Sequence, residues 1–244
     1  MIQNRVTVLA LLLSISSQAK AEFNVQFYGG NGVTLNHDAT VNLPDAGLSG
    51  THKDLRFDRT TIIGGRAIYW TERFKYVGFG LDASHFHGPD QKTQIAETDL
   101  CVTGVECYES AEKIKKFNNK ITAVGVELML RYPLLKSAQF PKGQLQPYLG
   151  VGPSVFVTTL KDTDNFIPAG QSSTYTSVGV MASAGAMLFL TEHIGAFIEY
   201  RDSNFEVKDT FYNNRVVNNI TLGKTLGQAT FNIQAVLGGI TFSF

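Results

Sequence analysis

The sequence of 244 residues lacks several features that identify common protein classes. It has only two cysteines, too few for a disulfide-rich scaffold or a four-cysteine zinc site. Basic and acidic residues number 21 each, so there is no basic surface field of the kind that binds nucleic acid. After residue 21, no unbroken apolar run approaches the roughly 18 residues that a membrane-spanning helix needs. These absences exclude a nucleic-acid-binding protein and a helical membrane protein.

The first 21 residues have the pattern of a secretory signal peptide. Arg5 precedes an apolar run that begins at Val8, and Ala19-Lys20-Ala21 has the small-x-small pattern of a cleavage site. We therefore expect a signal peptide over residues 1–21 and a single mature domain over residues 22–244.

The remaining sequence alternates apolar and polar residues with a period of two, which is typical of β-strands with one apolar face. The alternation is strictest between Ala123 and Tyr132. Pro153 predicts a bulge or a local loss of a ladder bond in its strand, and a change of parity near Gly238-Gly239 predicts a bulge. Eight strands are predicted at about residues 23–30, 60–70, 76–86, 123–132, 147–160, 175–190, 194–201 and 230–244.

The predicted connections alternate between long and short, as in an up-and-down barrel of the outer membrane. Tight turns are predicted at 71–75 and 191–193, whereas the connection at 133–146 is longer than a typical periplasmic turn. Long polar loops are predicted at 31–59, 87–119, 161–174 and 206–228.

Charged residues decide which strand face points inward. Six of them share the minority face, which is too many for a dry core, so the continuous apolar row must face lipid. Only a closed sheet leaves no backbone edge unpaired in lipid. We therefore predict an all-β fold, an eight-stranded antiparallel up-and-down transmembrane β-barrel; the alternative is a soluble barrel with an apolar calyx. The inward charges are Arg66, Asp82, Glu127, Arg131, Glu199 and Arg201.

Aromatic residues cluster where the predicted strands meet water, as in the interfacial girdles of membrane barrels. They are Tyr69, Tyr132 and Phe244 at the turn end, and Phe27, Tyr175, Tyr200 and Phe231 at the loop end.

The final strand carries a second clue, because Ile240, Phe242 and Phe244 share one apolar face up to the last residue. With the strand count, the loop rhythm and the Glu199-Tyr-Arg201 strand, this ending resembles the small bacterial outer-membrane β-barrels, which include the outer membrane protein A transmembrane domain and the porin-family barrels. The resemblance covers the whole mature chain. It implies a Gram-negative outer membrane, surrounding lipid and lipopolysaccharide, and recognition of the final strand by the barrel-assembly machinery. It implies no cofactor and no catalytic motif.

The six inward charges form the strongest candidate site. Arg66 and Asp82 are symmetric about residue 74, so they should be direct or near-direct cross-strand neighbours. By the same reasoning, Glu199 should face Gly185 and Arg201 should face Ser183. Three bases and three acids predict a balanced salt-bridge network that fills the lumen, and the alternative is an ion-lined pore.

Three smaller motifs remain. Export and close spacing predict a disulfide between Cys101 and Cys107 rather than a thiol metal site. His85 and His87 supply only two potential metal ligands, and zinc normally takes three or four, so no metal site is expected. Ser84-His85 reverses the His-Ser order of the outer-membrane lipid A deacylases.

The sequence thus predicts a structural or surface-interaction protein rather than an enzyme. Its specific role should lie in the extracellular loops, which could contact a host or surface ligand, because loops on rigid scaffolds commonly carry recognition. The alternatives are a narrow passive channel for small solutes and a lipid A modifying enzyme of the outer leaflet.

Overall fold

The computed structural model describes residues 22–35, 37–43, 47–71, 74–88, 90, 94–102, 107–114, 117–162, 172–217 and 220–244. The predicted signal peptide lies outside these residues. Twelve strands are present in the described chain: β1 (Glu22–Thr34), β2 (His37–Leu43), β3 (Leu48–Leu55), β4 (Thr60–Trp70), β5 (Val77–His87), β6 (Gln94–Val102), β7 (Tyr108–Ile114), β8 (Phe117–Arg131), β9 (Leu145–Asp162), β10 (Ser172–Phe189), β11 (Ile194–Val217) and β12 (Ile220–Ser243). No helix in the described chain is long and apolar enough to cross a membrane.

Eight of the strands close into a barrel. Their order is β1-β4-β5-β8-β9-β10-β11-β12, and β1 pairs with β12 to complete the ring with every pair antiparallel. The apolar row faces outward, as Leu128, Val126 and Ile198 are all largely exposed, while the charged row is buried inside. The predicted eight-stranded transmembrane barrel is therefore confirmed.

The strands agree with the periodicity most closely where the alternation is clean. β4 has the predicted bounds, and β5 is displaced by one residue. Between β8 and β9 the pairing breaks off after Gly125–Ser154 and resumes at Leu128–Val151 without a change of register. The interruption lies opposite Pro153, where the sequence predicts a local loss of pairing, because proline has no N–H to donate.

The first two predicted loops contain further strands, which the sequence did not indicate. β2 pairs with β3, and β6 pairs with β7, so each loop forms a hairpin. β2 also pairs with the upper part of β12, and β3 with β6. The predicted long polar connections at 31–59 and 87–119 therefore contain strands, and most of the predicted connection at 206–228 belongs to β11 and β12, so that prediction was wrong. We call the four strands β2, β3, β6 and β7 the extracellular sheet.

The predicted bulge at Gly238-Gly239 is also wrong, because the pairing of β12 with β1 and with β11 is continuous there. Instead, Phe231, Ile233 and Ala235 point into the barrel on the same face as Thr241. Phe231 and Tyr175, predicted in the outer girdle, pack with the interior. Apolar rings occupy much of the upper lumen, so the apolar character of these two residues did not distinguish the inner from the outer face.

The 133–146 connection is an ordered segment that closes the periplasmic end. Leu134 and Leu145 form an isolated bridge, and Gly143 N donates to Phe140 O at 2.9 Å. Phe140 is buried against the interior core. The extra length beyond a simple turn supplies this apolar cover.

Candidate functional site: the filled lumen and the extracellular sheet

Five of the six predicted inward charges meet in one cluster at mid-height. Arg66 lies directly opposite Asp82, in the register that the hairpin spacing predicts. Arg66 Nη2 donates to Glu199 Oε2 at 2.7 Å, and Arg66 Nε donates to Asp82 Oδ2 at 3.2 Å. Arg201 completes the ring, with Nη2 at 3.0 Å from Asp82 and Nε at 2.9 Å from Glu199. Every one of these side chains is buried.

Glu127 is the least engaged member of this charged cluster. Its Oε2 lies 3.5 Å from Arg66 Nε, and its carboxylate accepts no hydrogen bond from the described residues. With all groups ionised, two guanidiniums face three carboxylates, so the charged cluster carries one excess negative charge rather than the predicted balance. An ion in transit would have to displace contacts that the two arginines already make.

Two tyrosines that the sequence did not single out extend the cluster. Tyr28 Oη lies 2.8 Å from Asp82 and accepts from Arg201 Nη1 at 2.9 Å. Tyr148 Oη donates to Glu199 Oε2 at 2.7 Å. Each tyrosine reaches its acid across an intervening strand.

Glycines on the intervening strands make room for these two tyrosine–carboxylate contacts. A Cβ at Gly64 would collide with the Tyr28 hydroxyl, and a Cβ at Gly185 would collide with the Tyr148 ring. A sequence pattern could have indicated these contacts. In each case an inward-facing glycine lies on the strand between the one that carries the tyrosine and the one that carries the acid. Gly185 and Ser183 do face Glu199 and Arg201, as the spacing predicts.

Arg131 is separate from the cluster and lies at the periplasmic end. Its guanidinium forms two hydrogen bonds to Glu22, at 2.9 and 2.6 Å, and one to Gln146 at 3.0 Å. It also lies 4.2 Å from the centre of the Trp70 ring. The sequence missed Glu22 as its partner because β1 had been predicted to begin one residue later.

An aromatic column fills the lumen on the extracellular side of the charged cluster. Phe156 and Phe205 stack at 4.1 Å between ring centres, and Phe205 stacks on Phe231 at 5.2 Å. Phe57 continues the column at 5.6 Å from Phe231. The interior is thus filled by charged side chains at mid-height and by stacked rings above them.

The other predicted motifs are dispersed. Ser84 is buried inside the barrel, whereas His85 lies on the opposite face of β5, where its Nδ1 is 3.1 Å from Thr122 Oγ1. The two side chains therefore do not form a nucleophile–base pair. Within the described chain, no group of three or more His, Cys, Asp or Glu residues is arranged to hold a metal ion.

The extracellular sheet carries the two cysteines at one hairpin end. A disulfide joins Cys101 to Cys107 where β6 leads into β7. On the same face of β6, Asp99 lies opposite Glu109 of β7. It forms a salt bridge with Lys53, whose Nζ lies 2.7 Å from Asp99 Oδ2. The hydrogen bond to Asp99 raises the pKa of Lys53. Glu97 shares this face, and so does Lys113, which is paired with Ile95, so the described strand residues of this face include three acids, Glu97, Asp99 and Glu109, and two bases, Lys53 and Lys113.

The residues of the predicted assembly signal lie on the outer face of β12. Ile240 and Phe244 are about half exposed, and Phe242 packs edge-on against Phe27 with ring centres 6.5 Å apart. Their recognition by the barrel-assembly machinery stays a prediction.

Comparison with known structures agrees with this fold. The outer membrane protein OprG from Pseudomonas aeruginosa superposes with a TM-score of 0.55 at 15% identity, over 92% of this chain and 96% of that one. Neisserial surface protein A gives 0.41 at 15% identity, over 88% and 98%. The outer membrane protease OmpT from Escherichia coli gives 0.38 at 11% identity, over 91% and 97%. At this identity the likeness to OprG concerns the fold alone.

At the sequence level, no curated protein matches significantly. Residues 6–233 match the outer membrane protein beta-barrel domain. This match spans most of the chain, and it agrees with the closed sheet and its apolar outer face. The protein therefore belongs to the outer membrane β-barrel family and resides in the outer membrane of a Gram-negative bacterium.

Proposed function

We propose that this protein is a non-conducting outer-membrane barrel that binds surface partners through its extracellular sheet. The observation that carries the proposal is the pairing of β2 with β12 and of β3 with β6. These ladders tie both hairpins to the barrel wall, so a partner would meet a positioned surface. Less ordering entropy is then lost on binding than with flexible loops.

The filled lumen supports the non-conducting part of the proposal. Three layers lie along the axis: the Trp70–Arg131 contact at the periplasmic end, the charged cluster at mid-height and the aromatic column above it. An eight-stranded barrel has an interior only wide enough for side chains to fill. The alternative of a narrow passive channel would require all three layers to open.

The chemistry of the extracellular sheet points to the kind of partner. Glu97, Asp99 and Glu109 share one face of the β6–β7 hairpin with Lys113, and Lys53 is paired with Asp99, so the described strand residues of this face leave a surplus of one negative charge. An acidic face favours partners that present cationic groups, and salt should weaken such binding.

A hairpin replacement tests the proposal. Intact cells displaying the parent protein, or a variant in which residues 94–114 are replaced by a short Gly-Ser turn, are assayed for binding to an immobilised cationic protein, with lysozyme as the probe. We expect the replacement to abolish binding that the parent loses at high salt. The matched control replaces residues 163–171 and should bind as the parent does.

Planar bilayers provide the second arm of this test. The parent should give no steady single-channel steps, because its lumen is filled. In the cell-binding assay, binding by the hairpin variant equal to that of the parent would contradict the surface role. Stable cation-selective steps that Asp82→Ala alters would instead favour the channel.

A further inference from the structure

A recess of about 400 Å³ opens at the periplasmic mouth of the barrel. It lies between the turn that follows β4 and the connection that follows β8. Three lysines line it, Lys75 from the first segment and Lys136 and Lys142 from the second, and Arg131 lines it from inside the barrel. All three lysines are exposed.

The recess is strongly cationic. Glu22 is the single carboxylate among the described residues that line it, and two hydrogen bonds from Arg131 already engage that carboxylate. Lys142 Nζ lies 3.8 Å from Glu22. Lys75 and Lys136 form no ion pair within the described part of the chain. Four cations against one acid leave a surplus of three positive charges, while Glu72 and Arg73, which cancel in charge, lie outside the described residues.

Buried polar groups hold the lysine-bearing segments in place. Arg131 Nε donates to Lys75 O at 3.1 Å, and Arg131 N donates to Tyr76 O at 2.8 Å. On the other side, Gln146 Nε2 donates to Lys142 O and to Gly143 O, both at 3.0 Å. These bonds anchor both backbones to the barrel interior, so the lysines stay around one cavity despite their mutual repulsion.

We propose that this recess binds a phosphate group. A phosphate presents several strong acceptor oxygens and a concentrated negative charge, and lysine binds phosphate as a mobile point charge. The stacked rings of Tyr76 and Tyr132, 6.2 Å apart at the periplasmic girdle, place the recess beside the headgroups of the inner leaflet. The phosphate could therefore belong to an anionic phospholipid or to a soluble periplasmic phosphate ester.

Calorimetric titration of the purified barrel in a neutral maltoside detergent, with glycerol 1-phosphate as the probe, tests the site. The parent should show saturable binding that weakens at high salt. Replacing all three lysines, as Lys75→Gln, Lys136→Gln and Lys142→Gln together, should weaken binding by roughly a hundredfold if two charged contacts of ordinary strength are lost. Lys120→Gln, at the opposite end of the barrel, is the matched control and should bind as the parent does.

Nanodiscs separate the two sources of the phosphate. If the natural ligand is a phospholipid, phosphatidylglycerol should compete for the site. The parent's affinity for glycerol 1-phosphate should then be lower in nanodiscs that contain phosphatidylglycerol than in purely zwitterionic nanodiscs. If the ligand is a soluble ester, the lipid composition should not change its affinity. The single variant Lys136→Gln, on an exposed segment, guards against misfolding of the triple variant. Absence of saturable binding, or equal affinity in the parent and both variants, would overturn the proposal.

Discussion

The two halves of the lumen are filled by opposite chemistries. At mid-height, Arg66 and Arg201 bind Asp82 and Glu199 through directional hydrogen bonds. Toward the extracellular end, Phe156 and Phe205 fill the same cross-section by stacking. An inner face of a membrane barrel can therefore be either ionic or apolar, because lipid contact constrains only the outer face.

The two layers should respond differently to mutation. A buried ion network is costly to break, since each partner left behind is a charge without compensation in a water-poor interior. An aromatic layer loses only the contact area of the atoms that are removed, together with its ring–ring interaction. Mutations in the charged cluster should therefore destabilise the barrel more than mutations in the aromatic column.

The largest effect is expected from Arg66→Met. This change leaves three buried carboxylates with one guanidinium, so we expect the free energy of unfolding to fall by about 3–5 kcal/mol. Unfolding by guanidinium chloride of the barrel in lipid vesicles measures this decrease in the free energy of unfolding. Lys120→Met, exposed at the end of β8, is the control and should stay within about 0.5 kcal/mol of the parent.

Adding Glu199→Gln to Arg66→Met sharpens this test. Removing one of the stranded carboxylates should recover part of the lost stability, because the two effects share a contact and cannot be additive. If the double variant is less stable than Arg66→Met by the full cost of Glu199→Gln alone, the two residues are not coupled.

A smaller effect is expected from Phe205→Leu in the aromatic column. Leucine retains much of the apolar volume but loses both stacked neighbours, for a cost of about 2 kcal/mol. The same unfolding experiment measures it, with the lipid-facing Phe79→Leu as the control. A loss as large as that of Arg66→Met would erase the difference between the two layers.

The smallest effect is expected from Cys101→Ser. The disulfide closes a hairpin end outside the barrel wall, and local stability there is only weakly coupled to the membrane strands. We expect barrel unfolding to change by less than about 0.5 kcal/mol, whereas proteolysis within residues 94–114 should become faster. Unfolding of the entire barrel at lower denaturant would show that the extracellular sheet supports the wall.

The sequence predicted the fold well because the outer faces of the membrane strands report their environment directly. β4 was located to the residue, and Arg66 was paired correctly with Asp82, since a tight hairpin fixes the register around its centre. The same symmetry correctly set Arg201 against Ser183. Local geometry was sufficient for these features.

Other features depended on contacts that periodicity does not encode. Phe231 was assigned to the outer girdle because an apolar upper lumen looks the same as a lipid-facing row. The hairpins of the extracellular sheet were missed because their few apolar residues, among them Val41, Leu48 and Leu100, lie scattered in long polar segments without a sustained alternation. Arg131 was grouped with the charged cluster because strand position gives the face of a residue but not its height relative to distant strands.

The pairing of β8 with β9 is interrupted at two residue pairs, so fewer backbone hydrogen bonds hold these two strands together there. Val126 and Glu127 are paired with β5 on one side, but neither is paired with β9, where Gly152 and Pro153 stand. Thermal fluctuations of the barrel wall should be largest where this backbone pairing is absent, at the level of the charged cluster. The least engaged carboxylate, Glu127, thus lies beside the interruption in the wall, and Pro153 sets where that interruption lies because proline has no N–H to donate.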